Sequence, residues 1–193
     1  MVATVGAGQR DDVADSDVIR ASLSAPERFG ALHERHAAAL YRYAYQRVGA
    51  AAAEDVVAET FLAAFAGRRR YDMTHASARP WLFGILTNKI ARWGRAERAH
   101  LRAIERTEQT PALDGMADRV AEQVSAQAER GRLTAALRRL SRADRDAILL
   151  VSWGQLSYDE VAEALGVPAG TVGSRLNRAR RKLRESLAEQ ERT

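Results

Sequence analysis

Residues 157–183 read SYDEVAEALGVPAGTVGSRLNRARRKL, and the reading of this stretch decides the fold. Ser157 with Glu160 three residues on is a capping box: the serine oxygen accepts from the chain while the glutamate reaches back to it. Val161 and Leu165 then fall four apart on one helical face. Gly166 permits a left-handed residue and Pro168 blocks continuation, so that helix ends there. A second helix is expected from about Ala169. Two short helices joined by a tight glycine-containing turn read as a helix-turn-helix.

In the second helix Val172, Leu176, Ala179 and Leu183 recur at spacings of three and four, which makes one buried stripe. Ser174, Asn177, Arg178 and Arg181 fall opposite it, with Thr171, Arg175 and Lys182 on the flanks. Six basic residues and no acidic one lie between Pro168 and Arg184. Hydroxyl, amide and guanidinium groups bond base edges and phosphates, so this outward face is a candidate DNA surface. A solvated basic helix that touches nothing would carry the same charge. The capped helix and turn ahead of it supply the scaffold that a groove-entering helix needs.

The composition of the whole chain is compatible with that reading. Its 193 residues are 46% hydrophobic and 28% charged, which fits a folded protein of one large or two small domains. The absence of cysteine excludes disulfides, thiolate catalysis and cysteine-ligated zinc. No apolar stretch is long enough to span a bilayer, and MVATVGAGQRDD lacks a signal peptide's order of charge and apolar core. A cytoplasmic protein without membrane insertion is expected. The net charge of +5 favours an anionic partner. Its distribution is uneven: residues 10–20 hold four Asp against two Arg, and the basic residues gather in 68–102 and 175–184.

Helical periodicity runs through nearly every segment, and none alternates as a strand would. An all-α chain of two small helical domains joined by a flexible linker is expected. An acidic N-terminal extension (1–25) precedes a first module (26–100), a linker (101–127), a second module (128–188) and a short tail (189–193). The first module opens with FGALHERHAAALYRYAYQRV, stopped by Gly49, and continues with AAAEDVVAETFLAAFAG, stopped by Gly67. Its third helix starts at Pro80 in PWLFGILTNKIARWGRAER, with Leu82, Leu86, Ile90 and Trp93 as a core stripe. Asn88, Arg92 and Arg95, with Lys89 close by, lie on another face and suit base and phosphate contacts. In the second helix Asp55, Glu59, Leu62 and Ala66 are left outside, an acidic patch around an exposed leucine that fits protein docking. The second module adds Leu133, Leu137 and Leu140 as a stripe and Ser141 as an N-cap.

These pieces, in this order, resemble the extracytoplasmic-function (ECF) sigma factors of bacterial RNA polymerase. The resemblance rests on FGALHERHAAALYRYA, AEDVVAETFLAAF, ARPWLFGILTNKIARWGRAER and LRRLSRADRDAILLVSWGQLSYDEVAEALGVPAGTVGSRLNRARRKL. It implies that the first module is sigma region 2, a helical bundle, and the second sigma region 4. Asp55, Glu59 and Leu62 would face core RNA polymerase. His75, Ser77 and Arg79 would lie in the loop that captures a flipped base. Asn88, Lys89, Arg92 and Arg95 would meet the opened non-template strand of the minus-10 element. Thr171, Ser174, Arg175, Asn177, Arg178, Arg181 and Lys182 would read the duplex minus-35 element. An anti-sigma factor is a further implied partner. Gly173 stands where many members carry Lys or Arg, and the pocket loop is poor in aromatics, Tyr71 lying outside the matched segment.

Two other classes compete. A free-standing helix-turn-helix regulator would bind duplex DNA without polymerase. An enzyme would need a site, and His33 with His36 is the nearest approach to one. No third ligand stands at supporting spacing, and no phosphate-binding glycine loop or nucleophile motif is present. No enzymatic activity and no cofactor are expected.

Overall fold

The computed structural model of the chain describes residues 13–107 and 131–190, and every regular element among them is helical. Helix α1 (Asp15–Ser22) leads through a 3-10 turn (Pro26–Phe29) into α2 (Gly30–Val48) and α3 (Ala50–Gly67). A second 3-10 turn (Arg68–Arg70) and a loop precede α4 (Arg79–Thr107). Residues 131–139 form α5, followed by α6 (Arg142–Ser152), α7 (Tyr158–Leu165) and α8 (Ala169–Gln190). The chain divides into two compact units after Ile90, inside α4. No helix among the described residues is long and apolar enough to cross a membrane.

In the first unit Gly49, at φ 79, reverses the chain between α2 and α3 in a conformation that suits glycine. The two helices run antiparallel: Phe29 meets Phe65 (ring centroids 5.3 Å apart) while His33 meets Phe61 (4.7 Å), one helix stepping forward as the other steps back. Leu32, Leu40 and Tyr43 share the core with Val56, Phe61, Leu82, Phe83 and Leu86. Burying each of the larger side chains contributes about 1.5–3 kcal/mol.

Three expectations for this unit change. Residues 13–25 are not a detached extension, because α1 buries Val18 and Ile19 and carries a buried carboxylate at Asp15. Phe29 belongs to the 3-10 turn, with α2 starting one residue later. Helix α4 runs on to Thr107, into the expected linker, since the sequence from His100 to Thr107 holds no glycine or proline to stop it. The remaining linker residues, 108–127, lie outside the described residues, as do 1–12 and 191–193.

The second unit packs α6 and α7 against α8 around Ala147, Leu150, Val161, Val172, Leu176 and Ala179. Of the expected leucine stripe, Leu140 just after α5 is buried and Leu137 half-buried, whereas Leu133 is 41% exposed; Ala136 of α5 is buried as well. Ser141 caps α6, its Oγ accepting from the Asp144 N–H at 3.1 Å. The capping box of α7 is complete: Glu160 N–H donates to Ser157 Oγ at 3.2 Å, and Ser157 N–H donates to Glu160 Oε2 at 2.8 Å. Gly166 ends α7 at φ 62, and the Val167 N–H returns to the Ala162 carbonyl at 3.0 Å. These contacts set the angle at which α8 begins.

Candidate nucleic-acid interface

Helix α8 has the two faces that its spacing implies. Val172, Leu176 and Ala179 are wholly buried, and Leu183 is half-buried. Ser174, Asn177, Arg178, Arg181 and Lys182 are exposed, with Thr171 and Arg175 half-buried on the flanks. Ser174, Asn177, Arg178, Arg180, Arg181 and Arg184 line an outward concavity of about 560 Å³. The Ser174 hydroxyl donates to the Thr171 carbonyl at 2.9 Å, which leaves its oxygen lone pairs to accept from a ligand.

Arg178 carries a second role that spacing did not reveal. Its Nε lies 3.0 and 3.1 Å from the two carboxylate oxygens of Asp144, and Nη2 lies 3.0 Å from Oδ1. Asp144 is buried, on the first turn of α6. Burial alone would raise its pKa. Hydrogen bonds from Arg178 and Ser141, with the positive charges of Arg178 and Lys182, more than reverse that and hold it below the usual carboxylate range. The same pairing raises the Arg178 pKa. One edge of this guanidinium therefore anchors α8 to α6, and the outer edge is what remains for a ligand. Tyr158 Oη accepts from Arg180 at 3.3 Å and ties α8 to α7 as well.

In the first unit the loop before α4 is held from two sides. The Tyr71 hydroxyl reaches the carbonyls of His75 (2.8 Å) and Ser77 (2.9 Å), its single proton shared between them, while its ring packs on Trp81 at 4.9 Å. Asp72 closes the loop start, accepting from the Thr74 N–H and hydroxyl at 3.0 and 2.8 Å. On the other side Asp15 Oδ2 accepts from the Ala78 N–H at 2.9 Å, and the Ser16 N–H donates to the Ala76 carbonyl at 3.3 Å. His75 and Ser77 are exposed. Arg79 is half-buried, its guanidinium 5.7 Å from the Phe83 ring centroid. Tyr71 and Asp15 are the residues that the sequence reading missed here. Neither carries a motif, because each acts on backbone groups of another segment.

Along α4, Asn88, Arg92 and Arg95 are exposed at spacings of four and three. Lys89 differs: its Nζ pairs with Glu59 Oε2 of α3 at 3.0 Å. Lys89 was expected on a strand-facing surface and Glu59 on a docking surface, so the ion pair joins the two candidate faces. Asp55 is exposed, and Leu62 is 69% exposed, the most open large apolar side chain among the described residues. His33 and His36 do not converge. The first stacks on Phe61, and the Nε2 of the second lies 2.7 Å from Asp15 Oδ2.

A capped helix-turn-helix with a polar, cationic outward face has the form of a DNA-binding module. Two family models match the chain, Sigma-70 region 2 over residues 32–100 and Sigma-70, region 4 over residues 130–183. It is 36% identical over 160 residues to the ECF RNA polymerase sigma factor SigL of Mycobacterium tuberculosis, covering 82% of this chain and 88% of that one. It is 35% identical over 170 residues to the RNA polymerase sigma factor NccH of Alcaligenes xylosoxydans xylosoxydans, covering 85% and 89%. The solved structure of CnrH in complex with the cytosolic domain of CnrY matches at a TM-score of 0.62 with 27% identity, over 91% of this chain and 97% of that one. The sigma factor RpoE in complex with the anti-sigma factor NepR from Bartonella quintana matches at 0.55 with 25% identity, over 81% and 96%. The chain belongs to the ECF sigma factors. It is a sigma factor that directs RNA polymerase to promoters, which decides against a free-standing regulator.

Proposed function

We propose that this sigma factor works by recruitment and strand capture in the cytoplasm, with no chemistry of its own. The observation that carries the reading is the α8 face, set on a doubly anchored helix-turn-helix. Ser174, Arg175, Asn177, Arg181 and Lys182 contact the duplex minus-35 element, with Thr171 at the edge and Arg178 contributing through its outer edge. In the first unit His75, Ser77 and Arg79 border the pocket for a flipped minus-10 base. Asn88, Arg92 and Arg95 follow the opened non-template strand, and Lys89 joins them when released from Glu59. Asp55, Glu59 and Leu62 dock on core polymerase, which supplies the catalysis. CnrH and RpoE were solved with the cytosolic domain of CnrY and the anti-sigma factor NepR, and this chain takes a partner of that anti-sigma class.

Run-off transcription with purified core polymerase and genomic fragments tests the division of labour. Ser174→Ala with Arg175→Ala should weaken use of promoters that depend on the upstream element. Asn88→Ala with Arg92→Ala should weaken strand opening, read by permanganate reactivity of the exposed thymines. Because Glu59 is already paired with Lys89, Asp55→Arg with Leu62→Ala is the cleaner test of docking than a change at Glu59. Unchanged core affinity in that double variant would sink the docking assignment.

A further inference from the structure

Asp15, on α1, is placed where its carboxylate touches both α2 and the start of α4. Oδ1 accepts from Arg35 Nη1 at 2.9 Å. Oδ2 accepts from the Ala78 N–H at 2.9 Å and sits 2.7 Å from His36 Nε2. An ionised carboxylate only accepts, so the histidine is the donor in that contact. The same Arg35 Nη1 also reaches the Val13 carbonyl at 2.7 Å, which fixes the chain entering α1. Asp15 itself is 7% exposed and Ala78 is wholly buried.

The Ala78 contact has a specific consequence for the helix that follows. The Ala78 carbonyl accepts from the Leu82 N–H at 2.9 Å, the first backbone bond of α4, which makes Ala78 its N-cap. In a capping box the N-cap N–H is satisfied by a carboxylate three residues downstream. Here the carboxylate comes from 63 residues upstream. It lies at the positive end of the α4 dipole, where negative charge is favoured. The next helix N–H, of Arg79, takes Ser77 Oγ at 3.3 Å, so the end of the loop and the start of the helix are fixed together.

We propose that Asp15 is a positioning residue for the minus-10 pocket: through the Ala78 N–H, and with Ser16 on the Ala76 carbonyl, α1 holds the loop from Asp72 to Ala78 in the shape that receives a promoter base. The inference rests on the reading of His75, Ser77 and Arg79 as the pocket border. Tyr71 holds the same loop from its other side through the His75 and Ser77 carbonyls. The pocket is therefore shaped by backbone groups clasped between α1 and Tyr71, and its selectivity does not depend on aromatic side chains within the loop. Asp15 touches no DNA.

The test uses the full chain bound to core polymerase, offered fork-junction DNA whose single-stranded non-template extension is randomised. Captured strands are sequenced, and core affinity is measured alongside. The wild-type holoenzyme is expected to enrich one base at the pocket position. Asp15→Ala should lower that enrichment by about tenfold, the scale of one lost charge-assisted hydrogen bond, with core affinity unchanged. Asp15→Asn retains an acceptor for the Ala78 N–H and should restore most of the preference. Tyr71→Phe keeps the ring on Trp81 and loses only the hydroxyl, so it reports on the loop even if Asp15→Ala fails to fold. A combined His75→Ala, Ser77→Ala and Arg79→Ala variant separates the layers. If it loses the preference while Asp15→Ala and Tyr71→Phe keep it, the positioning role is overturned and the pocket reading stands. If it too keeps the preference, the pocket reading fails and takes the inference with it. Parallel loss of core affinity and base preference in Asp15→Ala would reduce Asp15 to a general stabiliser and also overturn the proposal.

Discussion

Two buried aspartates, Asp15 and Asp144, do for the two units what no surface charge could. Each is held ionised by donors from elsewhere in the fold, and each fixes an element that carries candidate DNA contacts. Burial opposes the charge on Asp15, but the hydrogen bonds from His36, Ala78 and Arg35 and the positive charge of His36 overcome it, lowering its pKa from 3.8 to about 2. The unfolded chain binds a proton to this group at higher pH than the folded chain does. Its stabilisation is therefore complete above about pH 4 and is lost as pH falls from there toward 2, an effect of about 2 kcal/mol. Acid unfolding followed by circular dichroism should show this, and Asp15→Asn should flatten that limb of the curve. Arg178 and Asp144 are expected to act as a unit. Arg178→Ala and Asp144→Ala should each weaken binding of the holoenzyme to duplex minus-35 DNA, and the double variant should lose less than the sum. Additive losses would mean that Arg178 acts on DNA alone, as spacing by itself implied.

At the scale of the element, the helix-turn-helix depends on how its helices are ended. Ser157→Ala breaks half of the capping box and should cost about 1 kcal/mol. Gly166→Ala forces a side chain into the left-handed region and should cost about 1–2 kcal/mol. Gly154 is constrained in another way. A β-carbon there would lie 2.6 Å from the Leu150 carbonyl oxygen and 3.2 Å from Leu156 Cδ1, so Gly154→Ala should destabilise by about 1–3 kcal/mol. Gly173 is the opposite case, with nothing within 4 Å of its would-be β-carbon on α8. Gly173→Ala should therefore stabilise the unit by roughly 0.5–1 kcal/mol. Thermal denaturation of the four variants checks both signs at once. A stabilised Gly154→Ala would mean that the turn after α6 relaxes freely.

For the whole molecule the expected signature is electrostatic. Affinity of the holoenzyme for promoter DNA should fall linearly with salt on logarithmic axes, because each neutralised phosphate releases condensed counterions. Removing one phosphate-contacting cation, such as Arg92 or Arg181, should reduce the slope by about 1. Alanine at Arg178 should reduce it by less, since that charge is already partly answered by Asp144. Titrations of promoter binding over a range of salt, one variant at a time, would rank the cations. An equal slope change at Arg178 and Arg181 would contradict the anchoring role.

The sequence by itself determined whatever depends on neighbours three or four residues apart. The capping box at Ser157 and Glu160, the stop at Gly166, the buried stripe of α8 and the exposed patch around Leu62 all follow from local spacing. Family membership was legible for the same reason, since four such local patterns stand in one order. The tertiary structure decided what depends on contacts between distant segments. It alone brought Asp15 to the Ala78 N–H, Tyr71 to the loop carbonyls, Lys89 to Glu59 and Arg178 to Asp144. Periodicity shows which face of a helix is outward, but not which partner waits there. A hydrogen bond to a backbone N–H leaves no residue type at the receiving end to read. The shape of the pocket loop and the share of Arg178 left for DNA are therefore properties of the folded chain.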